Sequence, residues 1–452
     1  MRLKRFSASI GLATKTDFEI SFSKNEEKQK NFFSVLIGSN GTQKSRTLRA
    51  ILDLGIPMAH LKLTNRKARA GLLELWDTAD DNDIISKVIA VSGVATDRFP
   101  SRITLRGGSR PRATYRYIGP RTDNNLVSRA QGINQIAASL LESPDRIRSR
   151  FKNLKYAFSI LKVTNGIFFS FSRSIPDDER WTLKKITDRM ADSKLEWSKL
   201  DSNEIDELSA SCLKIMKSRQ PLELRLDLDD EVRIDSSVGD LKTLYALLNC
   251  GFIAVEESYT YNDLDSEILQ LSEFSSGQWH IFSSLLFTAI AVENNTLILI
   301  DEPENSLHPE WQQQYLRLMR NVISSSSGVH IIVATHSPLI AASLDPTEAE
   351  VIKLRRNLRG RLNAQALKSG PFGWTSDEIL QEVFGLESSR SIEFTNRMDA
   401  ALGLFAKGDR ENPKLKRLVR SLQRTLPDLP PDDIARKIIE TLLIVLESSE
   451  AK

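Results

Sequence analysis

Two adjacent carboxylates, Asp301 and Glu302, follow the apolar run LILI at 297–300. One carboxylate in such a pair holds a divalent cation, and its neighbour polarises a water for attack. That is half of a hydrolytic nucleotide site. The complementary half lies far upstream, in GSNGTQKS at 38–45. Gly38 and Gly41 let the backbone approach phosphate, Lys44 reaches the β- and γ-phosphate oxygens, and the Ser45 hydroxyl is a Mg²⁺ ligand beside Asp301. Asn40, Gln43 and Arg46 belong to the same binding loop.

These residues need particular elements behind them. The run at 297–300 reads as a strand buried on both faces of a parallel sheet, which delivers Asp301 and Glu302 to its C-terminal end. FFSVLI at 32–37 is a second such strand, and RTLRAILDL at 46–54 follows the loop with helical spacing. Strand, glycine loop, Lys-Ser and helix is the order in which helix N-terminal N–H groups point at phosphates. Gln43 stands where this loop usually has glycine. A positive φ or a close backbone approach there is costlier with a side chain. Two readings follow: a loop that binds nucleotide and hydrolyses it slowly, or a degenerate loop.

Two further segments narrow the class. Phe274, Ser275, Ser276, Gly277 and Gln278 precede the apolar helix WHIFSSLLFTAIAV, and the apolar strand at 329–334 ends in Thr335, His336, Ser337 and Pro338. With these four motifs in this order the chain resembles the ATP-binding-cassette ATPases, in particular the soluble branch of SMC, RecF and OLD-like proteins. The resemblance implies an α/β fold: an ABC-type P-loop ATPase with a mixed parallel sheet, a compact helical insertion and a helical C-terminal region. It implies ATP and Mg²⁺ as cofactors, Glu302 as the residue that positions or deprotonates water, and His336 as the switch histidine. Ser275, Ser276, Gly277 and Gln278 take the part of the signature, which binds the γ-phosphate held by a second subunit. Two half-sites then close over two ATP molecules in a homodimer or higher oligomer. His308 either belongs to the D-loop or caps the helix starting at Pro309. The glutamine this family usually carries after the strand at 89–92 is absent, and Asp97 and Ser92 read as ordinary loop residues.

Composition is that of a soluble globular protein of two or three structural units, with a formal net charge of +3. Cys212 and Cys250 lack partners at zinc spacing, which argues for a reducing cytosol. No signal-peptide core opens the sequence and the longest apolar stretch is short for a bilayer, so a cytoplasmic protein without membrane contact is expected. The charge is uneven, since residues 98–121 hold seven Arg and no acid, with Tyr115 and Tyr117 interleaved. Arg106, Arg110, Arg112 and Arg116 are candidates to bind nucleic acid or an acidic partner, against the alternative of a solvated loop. Asp227, Asp229 and Asp230 in LELRLDLDDEVRID read as exposed edge charge rather than a metal site.

The expected organisation is an N-terminal ATPase lobe at 1–121 and a mainly helical insertion at 122–265. A second ATPase lobe at 266–369 and a helical region at 370–452 follow. No heptad persists long enough for the coiled coil of SMC proteins. After His336 no Asp-x-Asp and no further histidine occur, so a nuclease activity has to come from a partner. A short cassette without coiled coil, membrane domain or nuclease is similar to the stand-alone ATPases of bacterial anti-phage defence, the PtuA-type ATPases of Septu and of some retrons. That resemblance implies a partner HNH nuclease of PtuB type and, in retrons, a reverse transcriptase with multicopy DNA. The rival readings are a repair or recombination ATPase acting on DNA directly, and a slowly hydrolysing ATP-dependent scaffold.

Overall fold

The computed structural model describes residues 1–10, 16–23, 30–68, 71–76, 84–94, 96–101, 114–121, 128–142, 144–159, 165–174, 182–192, 201–261, 268–357, 360–367, 372–386, 388–408 and 410–450. They divide into two units, Met1–Gly373 and Trp374–Lys452.

The first unit opens with β1 (Leu3–Ile10) and β2 (Thr16–Ser21), followed by β3 (Phe32–Ile37) and α1 (Lys44–Leu61). Next come β4 (Asn65–Ala68), β5 (Gly71–Leu75), β6 (Lys87–Ser92) and β7 (Tyr115–Ile118). Strands β2-β1-β5-β4 form an antiparallel sheet.

Helices α2 (Arg129–Glu142), α3 (Pro144–Arg148) and α4 (Phe151–Phe158) begin the insertion. There follow β8 (Gly166–Arg173), α5 (Leu183–Asp192), α6 (Ser202–Lys217), β9 (Leu222–Asp227) and β10 (Arg233–Ser236). It closes with α7 (Leu241–Asn249), β11 (Ile253–Tyr261) and β12 (Ile268–Gln270). Beside its helices, then, the insertion carries a five-stranded antiparallel sheet, β10-β9-β8-β11-β12, of which sequence reading recognised only the stretch at 222–235. The helical expectation is corrected to that extent. The physical reason is visible in β11: its pairing with β8 shifts register between Val255 and Glu257, which breaks the period-two alternation that marks a strand. Asp227 is ion-paired to Arg225, and Asp229 lies beyond the end of β9.

The cassette resumes with α8 (Ser276–Ala291), β13 (Thr296–Asp301), α9 (Pro309–Val322) and β14 (His330–Thr335). Then come α10 (Pro338–Ala341), β15 (Ala349–Arg356) and β16 (Leu362–Ala366). The central sheet has the order β16-β15-β3-β14-β13-β6-β7. All its neighbours are parallel except the edge pair β15 and β16. Every residue of β3, β6, β13 and β14 is buried, which is why these strands read as continuous apolar runs.

The second unit holds α11 (Ser376–Ile379), α12 (Ile392–Ala406), α13 (Pro413–Gln423) and α14 (Ile434–Glu450). Met398 and Ala401 of α12, Leu415, Val419 and Leu422 of α13, and Ile439 and Leu442 of α14 share one core. No helix among the described residues is long and apolar enough to cross a membrane.

Candidate active site

Strands β3, β14 and β13 are consecutive in the central sheet, and their carboxyl ends carry the chemistry. Register places Thr335 opposite Ile37, and Ala334 opposite Asp301. The loop after β3, His336 after β14 and the two carboxylates at the end of β13 therefore emerge side by side, at the edge where parallel sheets bind ligands.

The loop is tightly constrained. A Cβ at Gly38 would sit 2.5 Å from the Leu354 carbonyl oxygen, so only glycine fits under β15. Gly41 has φ +83°. Thr42 donates its hydroxyl to the Ser39 carbonyl at 2.8 Å, and Arg356 donates Nε–H to the Gly41 carbonyl at 3.0 Å. Gln43 adopts the left-handed conformation, φ 66° and ψ 24°, as N-cap of α1. This is the strain that its side chain makes costly, about 1–2 kcal/mol relative to glycine. Asn40 is exposed and Arg46 half-buried.

Lys44 is buried and folds back over the loop, donating to the Gly38 carbonyl at 2.8 Å and lying 3.2 Å from Nδ1 of His336. Burial pulls its pKa down to about 8, opposed by the charges of Glu302, Glu304 and Asp301. The Ser45 hydroxyl donates to Asp301 Oδ1 at 3.0 Å. A hydroxyl and a carboxylate are hard oxygen donors suited to Mg²⁺, and burial pushes Asp301 up to about 7, a carboxylate in want of a cation.

Glu302 follows with φ 48°, held by its N–H to the Ala334 carbonyl at 2.9 Å. Its Oε1 is 3.4 Å from Nε2 of His336, and Asn305 donates Nδ2–H to Oε2 at 3.3 Å. The hydrogen bond from His336, with its charge and that of Lys44, holds the carboxyl below the usual glutamate range, so Glu302 is ionised and able to accept a proton. Glu304 accepts from the His336 N–H at 2.5 Å, and burial raises its pKa. Sequence reasoning missed Glu304. The signal available was a third carboxylate two positions beyond the pair. It missed Arg356 as well, which no local pattern marks.

Residues 275–278 begin α8. Ser275 caps α8 and forms a reciprocal capping box with Gln278: Gln278 N–H to Ser275 Oγ is 3.2 Å and Ser275 N–H to Gln278 Oε1 is 2.8 Å. Ser276 is exposed, and a Cβ on Gly277 would meet the Ser306 carbonyl oxygen at 2.3 Å. Among the described residues no hydrogen bond or ion pair joins 275–278 to the loop at 38–46. His308 is the N-cap of α9, its Nδ1 accepting from Glu310 N–H at 3.4 Å, which favours the capping reading. Asp97 accepts from Tyr117 and Arg121, and the Ser92 hydroxyl donates to Val94.

Of the arginine candidates, Arg106, Arg110 and Arg112 lie outside the described residues. Arg116 is half-buried. Its guanidinium donates to the Ser139 hydroxyl and rests 5.4 Å from the Phe287 ring centroid. Tyr115 is buried and donates to the Pro100 carbonyl, so it is a packing residue and no platform for bases.

A family model described as "AAA domain, putative AbiEii toxin, Type IV TA system" matches residues 33–342, more than half of the chain. The chain belongs to this family. The matched span of this AAA-family protein contains the whole cluster from Gly38 to His336. Septu protein PtuA of Bacillus thuringiensis is 33% identical over 105 residues, which is 21% of this chain and 24% of that protein. The retron Vc95 probable ATPase of Vibrio cholerae serotype O1 biovar El Tor is 33% identical over 84 residues, 19% of this chain and 15% of that one. The alignments thus span about a quarter or less of these curated relatives. An Smc head domain with extended coiled coil, bound to the C-terminal domain of ScpA and derived from Pyrococcus furiosus, is similar at a TM-score of 0.34 and 14% identity, covering 81% of this chain and 96% of that one. At that level the architecture of the AAA-family chain rests on its own sheet order.

The buried acid has a consequence for stability. The ordinary Asp value is 3.8 and the folded value about 7. The ligand-free fold therefore carries a cost that is absent below about pH 4, grows as pH rises and is complete above about pH 7, of order 4 kcal/mol. Asp301→Asn is expected to raise the thermal midpoint of the ligand-free protein at pH 8, to flatten its dependence between pH 4 and 7, and to abolish Mg²⁺-dependent turnover. Calorimetry across that range checks it, and an unchanged pH profile would refute the account.

Proposed function

We propose that the protein binds MgATP, closes as a homodimer over two nucleotides, and uses their hydrolysis to control a partner effector in anti-phage defence. The observation that carries this reading is the 3.0 Å contact of Ser45 with Asp301, set beside Lys44 and the Glu302–His336 pair. Lys44 and the N–H groups at the start of α1 bind the phosphate oxygens. Ser45 and Asp301 would hold Mg²⁺, which would supply positive charge beside the phosphates. Glu302 accepts a proton from water as the water oxygen bonds to the γ-phosphorus and the bond to the β-phosphate oxygen breaks. His336, 3.4 Å from Glu302, orients that carboxylate and contacts the γ-phosphate.

That no hydrogen bond or ion pair among the described residues joins Ser275 to Gln278 with the loop supports a composite site in which they serve the nucleotide of a second copy. The helix N-terminus there is an anion site by its own dipole. Loss of the γ-phosphate removes the shared contact and opens the dimer. The matches to Septu PtuA and to a retron ATPase support the defence setting. The effector proposed is an HNH nuclease of PtuB type, with a reverse transcriptase and multicopy DNA as further partners in a retron. Co-purification from the native operon, with γ-phosphate release measured on the complex, tests both parts. A complex with no Mg²⁺-dependent release removes the ATPase reading, and one with no nuclease removes the effector reading.

Gln43 favours slow turnover, so that ATP acts as a timer. Gln43→Gly is expected to raise the phosphate-release rate severalfold and to stabilise the loop by about 1 kcal/mol. Rate and thermal midpoint both unchanged would dismiss the brake.

A further inference from the structure

Helix α13 (Pro413–Gln423) has two faces of opposite character. Leu415, Val419 and Leu422 are buried in the core of the C-terminal unit. Lys414, Arg417, Arg420 and, one residue past the helix, Arg424 are exposed. At about 100° per residue these four side chains fall within an arc of about 120°, opposite the apolar face, and at 1.5 Å rise they span about 15 Å. The helix contains no Asp or Glu.

Among the described residues none of the four charged groups has a carboxylate or other hydrogen-bond partner. Four acids of this unit pair with other bases: Glu393 with Arg397, Asp433 with Arg390, Glu440 with Arg436, and Glu411 with Lys416. The stripe also works against the helix that carries it. Lys414 sits in the first turn, where the helix dipole disfavours a cation by about 0.3–1 kcal/mol. Successive members stand three, three and four positions apart, where like charges repel by about 0.2–0.5 kcal/mol per pair. Arg420 in the last turn and Arg424 at its end are favoured by the same dipole, so the like-charge repulsion is the cost that an external polyanion relieves.

We propose that this face of α13 binds the phosphate backbone of nucleic acid without reading sequence. The four cations, spread over about 15 Å, face about five successive phosphates of one strand at about 3.4 Å of rise each. Three of the four are Arg, whose planar guanidinium takes phosphate oxygens in pairs. The stripe carries no aromatic side chain to stack on bases, so the contact positions a strand and does not select it. This site goes beyond the ATPase reading and stands without it. It also differs from the arginine stretch at 98–121, whose Arg116 donates to the Ser139 hydroxyl.

The test is fluorescence anisotropy on the full chain with a labelled duplex and a labelled single strand of equal length, between about 50 and 200 mM salt. The probe variant is Lys414→Gln, Arg417→Gln, Arg420→Gln and Arg424→Gln combined. The expected result is at least about a tenfold loss of affinity at the lower salt, and a fall of about 3–4 in the slope of log K against log salt on duplex, or about 3 on single strand. The two arms tell which form is held. The thermal midpoint should be unchanged or raised, which separates lost contact from lost fold. Three results would overturn the proposal: no binding by the natural chain, equal affinity and slope in the variant, or polyglutamate competing as well as duplex, which would assign the stripe to an acidic protein.

Discussion

Glu302→Gln is expected to lower ATP turnover by about two to four orders of magnitude while ATP remains bound. The substitution keeps the shape of the side chain and its acceptor toward Asn305, but removes the negative oxygen that takes the proton of the attacking water. Lys44, Ser45 and Asp301 are untouched, so the nucleotide still has its phosphate cradle and its metal ligands. If the signature of one copy completes the site of another, the γ-phosphate contact then persists and a dimer accumulates. Light scattering with and without ATP, together with single-turnover phosphate release, reads both effects. A variant that hydrolyses at the natural rate would remove Glu302 from its role. One that stays monomeric with ATP bound would remove the clamp.

Lys44→Met is expected to abolish measurable ATP binding, and with it turnover, while stabilising the ligand-free chain. Burial lowers the Lys44 pKa from 10.5 to about 8. The cost of keeping its ammonium charged is therefore absent above about pH 10.5 and complete below about pH 8, of order 3 kcal/mol. Methionine fills a similar volume without the charge, although the bond to the Gly38 carbonyl, worth about 1 kcal/mol, is lost. A net gain of about 1–2 kcal/mol at pH 7 follows, because the buried charge costs more than its hydrogen bond contributes. Nucleotide binding by calorimetry and thermal unfolding of the ligand-free protein check the two halves separately. A destabilised variant would show that the folded-back lysine holds the loop together, and unaltered ATP affinity would place the phosphates elsewhere.

The parts of the site that were legible in the sequence are those with a local cause. Buried parallel strands are continuous apolar runs, so β3, β13 and β14 announced themselves, and each hands on its functional residue directly. The glycine loop, the capping sequence Ser275 to Gln278 and the strain at Gln43 are likewise properties of a few consecutive residues. The sheet of the insertion was not legible, because the register shift in β11 and the mixed faces of β8 obscure their alternation. Nor was the fate of the arginine stretch. Local charge marks a segment as basic, but whether Arg116 meets a phosphate or Ser139 depends on what the fold lays against it.

What the sequence by itself determined is the inventory of candidate groups: a glycine loop with Lys44 and Ser45, the carboxylates Asp301 and Glu302, the helix cap at Ser275 and the imidazole of His336. Side-chain type and the short-range order of strand, loop and helix suffice for that, since each element is set by its own hydrophobic period and turn residues. Which of these groups meet was decided by tertiary structure alone. Ser45 and Asp301 are 256 positions apart and touch only because β14 lies between β3 and β13 in the sheet. The same packing brought Glu304 and Arg356 to the site and buried Tyr115, and the core of the C-terminal unit left the basic face of α13 exposed. Strand order and burial are cooperative outcomes of the whole chain, and no window of sequence contains them.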